Sequence, residues 1–186
     1  MKFPLWFGLV LFSLPAMPQS AAPAGVSSEW DVRKLLDNLD LQAEHLKPII
    51  DQVQPETWKG APDAYVAQWK SAQSELGYFL SSISSLSKDS ERLPLALDTY
   101  FRMQAMESTL GSLVEGVRKY QNPALAELAQ TFVAENSTNR DRLRQYISDL
   151  AAQKEQEFKV VDREAQRCRG MLLNQSPTKE RKPSHP

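Results

Sequence analysis

The chain contains few of the residues that usually carry chemistry. Its 186 residues include one cysteine, two histidines and seven glycines. One cysteine excludes a disulfide framework, and so few glycines exclude a collagen-like chain. Lys and Arg number 22 against 23 Asp and Glu, a formal net charge of -1. The chain therefore lacks the basic surface that nucleic-acid binding requires.

Motifs of catalysis and cofactor binding are also missing. There is no Cys-x-x-Cys-His for covalent haem, no repeated Glu-x-x-His for a di-iron centre and no ligand set for structural zinc. A glycine-rich phosphate loop, Gly-x-Ser-x-Gly and His-Glu-x-x-His are absent too. We therefore expect a non-enzymatic protein with no catalytic, cofactor-binding or metal-ligating residues and no cofactor. The alternative is an all-helical enzyme without a recognisable motif.

The first two dozen residues have the order of a secretory signal peptide. Lys2 is followed by an apolar run over 3–14, and small residues follow Pro15. Ala22-Pro23-Ala24 matches the small-residue pattern of a cleavage site, so we expect cleavage after Ala24. Twelve apolar residues give about 18 Å of helix, which is shorter than the hydrocarbon core of a bilayer. The sequence predicts an extracytoplasmic protein, periplasmic or secreted, without stable membrane insertion after cleavage.

The remaining sequence predicts helices and favours no strands. Apolar residues recur at steps of three and four over 28–54, 62–86, 89–120 and 123–173. Short loops between consecutive helices favour antiparallel neighbours. We expect an all-α chain folded as an antiparallel up-down four-helix bundle. It would form a single domain over 25–173, followed by a disordered tail over 174–186 that contains three prolines.

Three local features refine this prediction. Pro48 should kink the first helix or end it near Lys47. Asp89 or Ser90 should cap the third helix. Asn122 followed by Pro123 is typical of a helix start.

The fourth helix is predicted to be unusually long, and its apolar stripe is narrow. It is either continuous or broken in the weak stretch 136–139. Beyond that stretch the spacing is typical of a coiled coil. We expect binding to another protein or self-association through this helix. The candidate interaction surface consists of Leu143, Ile147, Leu150, Phe158, Val161 and Cys168.

Cys168 lies at an apolar position of the stripe and permits three interpretations. A small side chain in the core is favoured, because cysteine often serves as a small hydrophobic residue. An intermolecular disulfide across a dimer is the second interpretation. A reactive thiol activated by the neighbouring Arg167 and Arg169 is the third.

An aromatic cluster marks the turn between the first two helices. Trp58-Lys59-Gly60 lies in the turn, and Tyr65 and Trp69 follow on the second helix. Trp58 would close the end of the core, and Gly60 would supply a positive φ. The same Trp-x-Gly turn resembles the W-x-G family of small secreted helical hairpins, over residues 29–88. Those proteins are about half as long and are exported without a cleaved signal of this kind.

A small-molecule or haem-binding bundle is the alternative function. His45 lies beside the apolar stripe of the first helix, where it could bind haem opposite Met103 or Met106. A cavity lined by Trp69, Tyr100 and Phe101 would complete such a site. The competing interpretation, which we favour, is a boundary histidine that packs its ring and keeps one nitrogen hydrated.

Overall fold

A computed structural model describes residues 29–174, and this part of the chain is all-α. Consecutive helices pack antiparallel, and the last also packs against the first, so the predicted four-helix bundle is confirmed. The predicted signal peptide over 1–24 and residues 175–186 of the predicted tail lie outside the described residues. The helices are α1 (Glu29–Asp51), α2 (Ala64–Lys88), α3 (Leu93–Tyr120) and α4 (Pro123–Asn174).

One apolar face of each helix points into a shared core. Because the apolar residues recur at steps of three and four, they lie on one side of each helix and are removed from water together. The largest fully buried side chains come from all four helices, namely Leu36, Leu39, Leu46, Ile50, Phe79, Ile83, Leu86, Met103, Met106, Leu110, Leu113 and Leu143.

The first helix continues through its proline. The alternative that α1 ends near Lys47 is wrong, because the helix runs to Asp51 with Pro48 inside its last turn. A proline there cannot donate to the carbonyl four residues earlier. The carbonyl of Pro48 itself is paired, since the side-chain amide nitrogen Nε2 of Gln52 donates to it at 2.9 Å.

The connection between α1 and α2 is a compact turn. Pro55–Thr57 forms one turn of 3-10 helix, and Gly60 follows with φ +74. Among the described residues only Gly60 has a positive φ, a conformation that costs glycine little because it has no Cβ. The sequence prediction for Gly60 is confirmed.

The third helix begins later than its predicted cap. Neither Asp89 nor Ser90 caps it, because α3 starts at Leu93 and Arg92 is the preceding residue. Asp89 accepts a backbone bond from Arg92 at 3.3 Å, so both residues belong to the turn after α2. The carbonyl of Ser90 accepts a hydrogen bond from the hydroxyl of Tyr146 on α4, which fixes this turn against the end of the bundle.

The fourth helix is continuous over 52 residues. Asn122 caps it as expected, since the amide of Ala124 donates to Asn122 Oδ1 at 2.9 Å. The break considered over 136–139 does not occur. Asn136 and Asn139 are both buried on the core face of α4, so packing outweighs their weak helix propensity.

Candidate interaction surface

The C-terminal part of α4 has no helix beside it within the described chain. Leu150 is fully buried, whereas every later residue through Asn174 is half-buried or exposed. We call residues 151–174 the projecting segment. At 1.5 Å per residue it extends about 36 Å past the level of Leu150.

The apolar stripe of α4 continues from the core into the projecting segment without changing sides. At 100° per residue, the stripe from Leu143 to Leu172 stays within roughly 80° around the helix axis. The projecting part of the stripe therefore faces the same side as the bundle. We call its members the projecting stripe; they are Phe158, Val161, Ala165, Cys168 and Leu172.

The six residues of the predicted surface divide into two groups at the end of the bundle. Leu143 and Leu150 are fully buried and Ile147 is half-buried, so these three belong to the core. Phe158 is 71% exposed, Val161 is 66% exposed and Cys168 is exposed. Only the second group is accessible to a partner.

Ion pairs lie along the axis of the projecting segment. Lys159 lies 2.7 Å from Glu155, and Arg167 lies 2.9 Å from Glu164. The hydrogen bond from Lys159 holds the pKa of Glu155 below its usual range. Such exposed pairs support a helix only weakly, so the segment depends on its own propensity and not on burial.

The exposed apolar side chains of the projecting segment are large for a helix in water. Besides Phe158 and Val161, Leu172 is 67% and Leu173 is 85% exposed. Contiguous apolar surface rimmed by charged residues is typical of protein interaction sites. The rim here is mixed in sign, with Asp162, Glu164 and Arg169 close to the stripe.

The cluster of aromatic rings at the other end of the bundle belongs to the core. Trp58 is 7% exposed, its ring centroid is 5.4 Å from that of Tyr65, and it stacks on Tyr120 at 5.8 Å. The packing interpretation of Trp58 is therefore confirmed. Trp69 joins the same region, since its indole donates to the carbonyl of Ile50 at 3.0 Å.

Gln121, which sequence reasoning missed, ties this turn to the α3–α4 connection. Its Oε1 accepts from the backbone of Gln54 at 3.0 Å and from the Trp58 indole at 3.1 Å. Its Nε2 donates to the carbonyl of Gln52 at 2.8 Å. One amide side chain thus satisfies three groups in the α1–α2 turn, and no local sequence pattern predicts contacts so far apart in the chain.

Two polar pairs cross between helices near the middle of α4. Arg140 donates to Glu107 on α3 at 2.9 Å, and this bond raises the pKa of Arg140. Asn139 donates to Gln42 on α1 at 2.9 Å. Burial also raises the pKa of Tyr146, which donates to the turn after α2. These contacts fix the position of α4 along the bundle.

The structure separates the residues considered for haem binding. His45 is exposed on α1, whereas Met103 and Met106 are fully buried in α3. Of the proposed aromatic lining, Trp69 and Tyr100 are half-buried and Phe101 is 59% exposed. No His, Cys, Asp or Glu group within residues 29–174 is arranged to hold a metal ion.

Cys168 is a free and exposed thiol, so its interpretation as a small core residue is wrong. The helix carries it beyond the end of the bundle, where no described helix covers it. The disulfide and reactive-thiol interpretations stay predictions.

A hollow of about 350 Å³ lies beside the base of the projecting segment, between α1 and α4. It is lined by Val32 and Leu35 on one side and by Arg142, Gln145 and Tyr146 on the other. Together with the hydrogen bond from Tyr146 to the turn after α2, the hollow marks the level at which the bundle ends.

Over residues 29–174, no helix has the length and apolarity needed to cross a bilayer.

Fold and surface together define this protein as a four-helix bundle whose last helix projects from one end. No protein-family model, curated protein sequence or solved structure matches the chain.

Proposed function

We propose that this is an exported, non-enzymatic helical-bundle protein that binds another protein or a further copy of itself through the projecting segment of α4. The exposed projecting stripe is the observation that carries the proposal. The signal-like sequence of residues 1–24 supports export. The absence of catalytic motifs from the sequence supports a binding role.

The energetic argument starts from the exposed apolar area. Phe158, Val161 and Leu172 lie on one face and remain in water in the single chain. Burying apolar surface contributes about 25 cal/mol per Å², and a second helix on this face would remove these side chains from water together. Helix-on-helix recognition uses anchors at this spacing.

A matched pair of substitutions tests the proposal. Val160 and Val161 are adjacent, of the same type and both at least half exposed, but only Val161 belongs to the projecting stripe. Val161→Asp places a charge in the interface, whereas Val160→Asp places the same charge about 100° away. We expect Val161→Asp to abolish partner capture and self-association, and Val160→Asp to retain both.

The measurement combines two readouts on protein exported with its N-terminal segment intact. Affinity capture from the exported fraction, followed by mass spectrometry, reports partners. Size exclusion with light scattering reports self-association. If Val161→Asp keeps every partner and the oligomeric state of the unaltered protein, the projecting stripe is not the binding surface.

A further inference from the structure

The occupant of the projecting stripe can be specified from the direction in which the stripe faces. It faces the side on which α1, α2 and α3 end, as the contacts of Tyr146 and the α1–α4 hollow show. A helix that packs on the stripe therefore lies directly above the end of the bundle. This position limits which helices can enter.

A parallel pairing of two copies is blocked by the bundle itself. A second α4 running in the same direction would continue, toward its own N-terminus, into the space that α1, α2 and α3 occupy. Of the described residues, an antiparallel copy brings only the C-terminal end of its α4 toward the bundle, and it carries its own α1, α2 and α3 away to the far side. The geometry thus admits an antiparallel copy and rejects a parallel one.

Given the proposed function, on which this inference rests, we propose that the partner is a second copy of this chain, paired antiparallel through the projecting stripe. The two-fold axis passes between Gln166 and Arg167. Residue 174 of the second copy then lies opposite residue 159, about 13 Å from the level of Leu150, so the described parts of both projecting segments fit without collision. A symmetric pair of this kind is closed and does not grow into a filament.

This register is self-complementary in size. Phe158, Ala165 and Leu172 occupy one heptad position and Val161 and Cys168 the other. Around the axis, Ala165 of each copy meets Cys168 of the other, so small side chains let the helices approach closely at the centre. Val161 of each copy meets Leu172 of the other in the outer layers.

The register is also complementary in charge. Asp162 and Arg169 flank the stripe on the same side, about two turns from each other along the helix. In the antiparallel pair Asp162 of each copy lies beside Arg169 of the other, which gives two attractive contacts. A parallel pair instead places Glu157 of each copy beside Asp162 of the other, which is repulsive, and Glu164 beside Arg169, which is attractive, so its flanking charges largely cancel.

The antiparallel pairing predicts where Cys168 lies in the dimer. Each Cys168 faces an alanine, and the two thiols are offset along the axis, so they do not form a disulfide with each other. A parallel in-register pair would instead bring the two Cys168 residues face to face. Cross-linking therefore distinguishes the two arrangements.

The closing experiment mixes two single-cysteine variants, Val161→Cys and Leu172→Cys, each in the full chain carrying Cys168→Ser. Glutathione disulfide is the oxidant. Two thiols join in one S–S bond, their two protons leave, and the two electrons reduce one glutathione disulfide to two glutathione molecules. We expect a covalent dimer in the mixture at a yield at least tenfold above that of either variant alone.

Several results would overturn the inference. Cross-linking of Val161→Cys alone, or of Cys168 in the unaltered chain, would mean a parallel pair. No cross-link in the mixture, with a monomer at every concentration in light scattering, would mean that no second copy binds. Protection of the Val161→Cys thiol from a soluble maleimide in that monomer would mean that residues of the same chain outside 29–174 cover the stripe.

Failure of this inference is distinguishable from failure of the proposed function. If the mixture does not cross-link but Val161→Asp still releases a captured protein that Val160→Asp retains, the projecting stripe binds a different protein. If no cross-link forms in the mixture and Val161→Asp captures the same proteins as the unaltered chain, both proposals are wrong.

Discussion

At the residue scale, Gly116 is the glycine of α3 that has almost no space around it. A Cβ atom there would lie 2.6 Å from Tyr65 Cε1 and 2.8 Å from Trp58 Cζ3. Gly111 lies in the same helix and would meet nothing within 4 Å. The two glycines therefore have different roles, although they look alike in the sequence. Gly116 allows the aromatic rings to pack against the α3 backbone.

We expect Gly116→Ala to lower the free energy of unfolding by about 1–3 kcal/mol, because the added methyl overpacks the rings. Gly111→Ala is the matched control and should raise it by up to about 1 kcal/mol, since alanine favours a helix interior. Urea unfolding followed by circular dichroism measures both. An equal rise in the free energy of unfolding of both variants would show that the rings of Tyr65 and Trp58 move aside without cost.

At this end of the molecule, features that depend on neighbouring residues could be predicted from the sequence, whereas contacts between residues far apart in the chain could not. The Trp58 turn, the positive φ of Gly60 and the burial of Trp58 follow from local sequence. The roles of Gly116 and Gln121 do not, because their contacts join residues some sixty positions apart. No periodic pattern carries that information.

At the scale of the element, α4 contains buried asparagines in the register of its apolar stripe. Asn139 has a partner in Gln42. Asn136 is fully buried, and neither its Oδ1 nor its Nδ2 is hydrogen-bonded within the described residues. A buried polar group without a partner costs free energy, which makes Asn136 a weak point of the core.

We expect Asn136→Leu to raise the free energy of unfolding by about 1–3 kcal/mol, because leucine keeps the branched skeleton and removes the unpaired polar atoms. Asn139→Leu is the comparison. It should not raise the free energy of unfolding, since it leaves the side-chain oxygen Oε1 of Gln42 without its hydrogen-bond donor. Thermal and urea unfolding measure the difference. A loss of stability in Asn136→Leu would mean that a hydrogen bond holds Asn136 in solution.

The order and extent of the helices could be predicted closely from the stepping of apolar residues. The alternative of a break over 136–139 is wrong, because Asn136 and Asn139 are buried on the core face of α4, where packing outweighs their low helix propensity. The predicted cap of α3 is also wrong, because the turn after α2 extends to Arg92 and α3 starts at Leu93. Tyr146 of α4 holds this turn through the carbonyl of Ser90, a contact that local sequence does not predict.

At the scale of the whole molecule, the folded core and the proposed binding surface occupy separate parts of one helix. The core residues of α4 end at Leu150, and the exposed apolar residues of the projecting stripe begin at Phe158. Stability and binding should therefore respond to different substitutions. A truncation can remove one without the other.

We expect removal of residues 156–186 to change the free energy of unfolding by less than about 0.5 kcal/mol, since none of residues 156–174 is buried. Urea unfolding at concentrations below those of self-association measures this. Removal of residues 175–186 alone is the control for the tail. A large fall in the free energy of unfolding that occurs only in the longer truncation would mean that the projecting segment packs on the bundle.

Removal from residue 140 onward should have the opposite effect. It takes away Leu143, Tyr146 and Leu150, all of which are buried in the bundle. Such a chain should not fold cooperatively, so loss of binding in it would say nothing about the projecting stripe.

The uninterrupted course of α4 has a consequence for amide hydrogen exchange. Within one continuous helix, backbone amides up to Leu150 exchange through opening of the bundle, whereas those after residue 155 need only local fraying. The helix should therefore show a steep fall in protection across about one turn, with no change in hydrogen-bonding pattern. A partner on the projecting stripe would shift that fall toward the C-terminus, so the position of the boundary reports occupancy directly.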